Sequence, residues 1–169
     1  KLAMMGKAMG KTSAQMTKDF QQAFSVLAVH GEESIEVFQG LSAAAKTAGL
    51  EVSKLTTLAG KFDTFESAAT TTGKLNALLG SQLSATEMLM MKEDERVETL
   101  IRQVQAQDVA FKDMDRFQQK AIAAAAGITD MNEAQRIFGM NMEQFNDHRE
   151  KMEKQANVQE NFSKAIEAT

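Results

Sequence analysis

Proline is absent from all 169 residues, and that omission limits the fold more than any other feature. Proline ends helices by removing a backbone N–H and clashing with the carbonyl one turn earlier. Without it, helix ends must be set by glycine and by capping side chains. The apolar residues recur at helical spacing almost throughout, and no alternating run of four or more residues suggests a strand. The expected fold class is therefore all-α, a helical domain of several short-to-medium helices with a longer C-terminal helix.

The stripes and stops place those helices. Met16, Phe20, Phe24 and Leu27 share one face over 12–30, between a Thr12/Gln15 capping box and Gly31. Ile35, Phe38, Leu41, Ala45 and Ala48 mark 32–48, which ends at Gly49-Leu50. A glycine followed by an apolar residue is the Schellman ending, and Gly127-Ile128 and Gly139-Met140 repeat it. The longest stripe runs through Leu55, Leu58, Phe62, Phe65, Ala69, Thr72, Leu75 and Leu79. Gly60, Gly73 and an Asp63/Glu66 cap leave either one long helix or two broken near Phe62, and favour the break, with Phe62, Phe65, Leu75 and Leu79 as core. Further on, Ser84 caps a short helix through Met88 and Met91, and Val97, Leu100, Ile101 and Val104 mark 94–107. Asp113 is expected to open a helix carrying Met114, Phe117, Ala121 and Ala125. Asp130 caps one with Ala134, Ile137 and Phe138, and the last helix starts at Met142. The expected division is 1–31 as an N-terminal helical segment, 32–140 as a central domain and 141–169 as an extended helix. Lys1 is not an expected natural start and Thr169 falls in running helix, so a window on a longer chain is expected.

Composition removes several function classes. Hydrophobic residues make up 43% and charged residues 25%, a globular balance rather than a disordered one. Apolar runs such as 88–91 and 121–126 fall far short of the roughly 20 residues of a spanning helix, and no secretory signal pattern is present. With no cysteine there is no disulfide frame, thiol nucleophile or zinc–thiolate set. The net charge of −4 exerts no general pull on nucleic acid. Lack of Trp and Tyr argues against a stacking platform for sugars or bases. Twelve methionines suit adaptable helix–helix packing.

No motif nominates a catalytic, cofactor or metal site. The run Gly6-Lys7-Ala8-Met9-Gly10-Lys11-Thr12 has three residues between its glycines where a phosphate-binding loop needs four, and no strand precedes it. His30 and His148 lack metal-binding spacing; His30 instead suits a helix C-terminus. Asp113-Met114-Asp115 continues into Phe117 without the glycine of a calcium loop. Glu93-Asp94-Glu95 reads as an acidic first turn favoured by the helix dipole. No serine sits in a nucleophile elbow, and no carboxylate pair stands out for acid–base work. The expected protein is not an enzyme and carries no cofactor.

One resemblance gives this a function. Lys61-Phe62-Asp63-Thr64-Phe65-Glu66, Gly73-Lys74-Leu75-Asn76-Ala77-Leu78-Leu79-Gly80, Glu95-Arg96, Phe111 with Asp113-Met114, and Lys120 through Ile128 occur in an order and spacing that resembles helical segments of tail tape-measure proteins of tailed, especially contractile-tailed, bacteriophages. That resemblance covers about half of the chain. It implies a virion structural protein of the phage tail that sets tail length during assembly and docks in the tail tube or baseplate hub, beside other copies of itself around the tail axis. It implies no small-molecule substrate and no specific nucleic-acid binding. The alternative class is a bacterial helical adaptor or signalling domain.

The last helix carries the expected partner interface. Its stripe is thin: Phe145, Met152, Phe162 and Ile166 lie near one seam, with polar Gln159 where a strict heptad wants an apolar residue. A helix this polar is expected to lean on a neighbouring chain along those four residues.

Overall fold

A computed structural model describes residues 6–7 and 10–167, with side chains described up to Lys154. The described residues are 80% helical with no strand, which is the all-α fold expected. The helices are α1 (Ser13–Leu27), α2 (Ser34–Ala48), α3 (Val52–Ala59), α4 (Phe65–Leu79), α5 (Ala85–Met90), α6 (Glu93–Gln105), α7 (Arg116–Ala125), α8 (Met131–Phe138) and α9 (Met142–Glu167).

α2 is the axis on which the others assemble. It packs against α1, α3, α6 and α9, and its residues Val37 through Ala45 are all buried. Such enclosure needs a helix with little side-chain bulk. Gly40, Ser42, Ala43, Ala44 and Ala45 supply it, leaving Phe38 and Leu41 as the large fillers. At Gly40 the contact is closest: a Cβ there would lie 2.6 Å from Asp94 Cβ on α6. One continuous core joins Met16, Ala23 and Leu27 of α1 to Phe145 and Met152 of α9. The boundaries at 31/32 and 140/141 are therefore helix ends within one packed core.

Capping follows the sequence closely at several ends. Thr12 and Gln15 form the reciprocal box, and the hydroxyl of Ser84 and carboxylate of Asp130 accept the N–H groups of Glu87 and Glu133. Gly49 (φ 70°) and Gly127 (φ 76°) are left-handed, and Leu50 and Ile128 donate N–H bonds of 2.9 and 2.8 Å to Ala45 and Ala123 carbonyls. Gly139 departs from expectation. Its φ is −91°, and the Gln105 amide closes this end instead by donating to the carbonyls of Phe138 and Met140.

The break near Phe62 is present as a 3₁₀ turn over 60–62, and it rephases the stripe. Thr64, rather than Asp63, caps α4 through the N–H of Ser67. The buried face of α4 then runs through Ala68, Thr71, Thr72, Leu75 and Leu79. Phe62 is fully buried, but Phe65 is 61% exposed, so its expected place in the core is corrected. Phe117 is corrected likewise. Asp115, not Asp113, caps α7, the preceding turn is held by the Gln119 amide on the Phe111 and Met114 carbonyls, and α7 buries Ile122 and Ala123 while Phe117 is 88% exposed.

The two phenylalanines should therefore differ in denaturant unfolding. Phe62→Ala should destabilise the chain by roughly 3–5 kcal/mol, and Phe65→Ala by under about 1 kcal/mol. Equal costs would contradict the rephased register.

Candidate functional site

The four expected interface residues part company in the structure. Phe145 and Met152 are 1% and 0% exposed, in the core of their own chain where α9 lies along α2. Their assignment to a partner surface is corrected: the small residues of α2 leave room for them at home. Phe162 and Ile166 lie in α9 beyond the described side chains. Polar contacts fasten the same half of α9. Arg149 lies 4.8 Å over the Phe145 ring and pairs with Glu98 at 3.1 Å. The Thr47 hydroxyl donates to the Ala43 carbonyl, so His148 donates from Nδ1 to Thr47 Oγ1, at 2.9 Å. Burial, and then the neighbouring Lys46 charge, hold the His148 pKa below its ordinary value.

A polar cluster surrounds the start of α6, where Glu93, Asp94 and Glu95 form the acidic first turn expected from the sequence. Glu93 is 5% exposed and sits 2.5 Å from His30 Nε2, tying the turn after α1 to α6. Lys92 reaches Glu33 at 2.7 Å, and this hydrogen bond lowers the Glu33 pKa and raises that of Lys92. Arg96 is 5% exposed. It donates to the carbonyls of Ala59, Met88 and Leu89 and pairs with Asp63 at 2.7 Å. Those carbonyls belong to the C-terminal ends of α3 and α5, where a cation is favoured. The signal was present in the sequence: Glu93, Arg96, Leu100 and Val104 fall at spacings that place them on one helical stripe.

The chain matches no family model, no curated protein and no solved structure.

Asp94 is the least comfortable member of the cluster. It presses against Gly40, and its Oδ1 is buried without a hydrogen-bond partner. Burial pushes its pKa from 3.8 up to about 6, Glu95 adds to this, and the Glu95 N–H and Arg149 oppose it. Elsewhere, Lys11 pairs with Asp19 at 2.6 Å. Among the described residues no group of three His, Asp or Glu side chains is placed to hold a metal ion, and no helix is long and apolar enough to cross a membrane. Chemically, the cluster locks helix ends together.

The buried Asp94 carboxyl couples folding to pH. Its folded pKa lies above the unfolded one, so the folded chain binds the extra proton between about 3.8 and 6 and loses stability as pH rises through that window. The gap corresponds to roughly 3 kcal/mol. Asp94→Asn should match the parent near pH 3.5 and exceed it increasingly up to about pH 7, in melts compared pair by pair. A difference that stays flat with pH would refute the assignment.

Proposed function

We propose that the chain is a non-enzymatic virion structural protein, a segment of a phage tail tape-measure protein that sets tail length and docks in the tail tube or baseplate hub. The observation that carries this reading is the allocation of α9. At about 1.5 Å per residue its 26 residues span roughly 39 Å. The core of its own chain takes up Phe145 and Met152. The sequence continues the stripe through Phe162 and Ile166. A helix anchored at its first half and apolar again further along suits a chain whose domains are strung along an axis and meet neighbours there.

The order and spacing of motifs in the stretch from Lys61 to Met140 supports the same family. The polar groups at the start of α6 also fit a structural role, since His30, Glu93 and Arg96 are all bonded to partners within the fold. Other copies of the chain around the tail axis, and tail tube or hub proteins, are the proposed partners, with the remaining interface narrowed to Phe162 and Ile166.

The test is incorporation. Peptides of this chain should be found by mass spectrometry in purified tails. Replacing both Phe162 and Ile166 by Glu should remove them from assembled particles while circular dichroism and melting of the core remain unchanged. Normal tails carrying the doubly substituted chain would reject the interface, and absence of the parent chain from tails would reject the family reading.

A further inference from the structure

The α4–α7 pair carries two adjoining grooves on its exposed side, away from α9. The two helices run antiparallel, since residues early in α4 share one groove with Ala124, Ala125 and Gly127, and Ala77 and Leu78 share the next with Ala121. The apolar part, about 350 Å³, has a floor of Ala77, Leu78, Ala121, Ala124 and Ala125. Phe117, one turn before Ala121 on α7, is 88% exposed. A floor of alanines beside an uncovered phenylalanine leaves both room for a helix backbone and an anchor for it.

Charge decides what the occupant is. Lys61 and Lys74 line the groove, and Lys120 stands exposed on α7 between Phe117 and Ala124. Among the described residues none of the three forms an ion pair, although lysines elsewhere pair with Asp19, Glu133, Glu33 and Glu150. The lining offers one carboxylate, Glu66. A second copy set across a twofold axis here would lay the same lysine-bearing patch against itself, like charge against like. We infer that the α4–α7 groove is a docking surface for an acidic amphipathic helix of a different protein, whose apolar stripe covers Phe117 and the alanine floor while its flanking carboxylates meet Lys61, Lys74 and Lys120. This stands independently of the tail-protein reading, because it uses only the groove and its charges.

The experiment uses the full chain and two fluorescein-labelled designed helices of about 20 residues. Both carry leucines at helical spacing; one has glutamates on the flanks, the other lysines. By fluorescence anisotropy the glutamate helix should bind saturably and weaken with added salt, and the lysine helix should not bind. Phe117→Ser should weaken the glutamate helix by about tenfold, and because Phe117 is exposed the variant should melt as the parent does. Lys74→Glu with Lys120→Glu should reverse the preference, so that the lysine helix binds. Equal binding of both helices, binding of neither, or an unreversed preference in the charge-swapped chain would overturn the proposal. So would a concentration-dependent dimer in sedimentation that Phe117→Ser dissociates, which would make the occupant a second copy. Oligonucleotide binding abolished by the lysine substitutions would make it a nucleic acid and would overturn the proposal equally.

Discussion

The close approach of neighbours to α2 is the constraint on which the remaining structure depends. A helix enclosed on several sides must present backbone rather than bulk, and its segment from Gly40 to Ala45 is glycine, leucine, serine and alanines. That lets α6 come near enough for Asp94 to touch Gly40. It also leaves a trough in which the first half of α9 lies with Phe145 and Met152 inside. The cost is one uncomfortable carboxylate and one buried, unpartnered hydroxyl, that of Ser42. Burying apolar area at about 25 cal/mol per Å² outweighs such local losses when a core is continuous from α1 to α9.

Where the fold could be read in the sequence, a local rule and the tertiary structure agreed. The Thr12/Gln15 box, the Ser84 and Asp130 caps and the left-handed glycines at 49 and 127 are decided by a few neighbouring atoms. Phe65, Phe117 and Gly139 were misjudged where one shift of register or one distant side chain intervened. The 3₁₀ turn after α3 rotates the stripe of α4 by enough to expose Phe65. A turn held by Gln119 delays α7 and turns Phe117 outward. Gln105, far away in sequence, closes α8 without a left-handed residue.

The candidate sites were less legible, for a related reason. A polar helix with a thin stripe looks the same in sequence whether its partner is another chain or a trough of alanines in its own. Phe145 and Met152 found that trough in α2, a segment whose smallness gave no sign of being a receptor. Conversely, Glu93 and Arg96 resemble an ordinary solvated helix start until Leu100 and Val104 are set beneath them on the same stripe.

Arg96 has one more consequence, which concerns the chain's entropy. Its guanidinium grips the carbonyl of Ala59 with one nitrogen and those of Met88 and Leu89 with others, so it joins the two ends of the excursion that contains α4 and α5. That excursion carries a small core of its own, Phe62, Ala68 and Met88, separate from the main one. Loop closure costs little more for a long loop than for a short one, so a single well-bonded side chain suffices to hold the whole detour shut. In a chain without cysteine, Arg96 serves as a cross-link that can open and reclose without any redox chemistry.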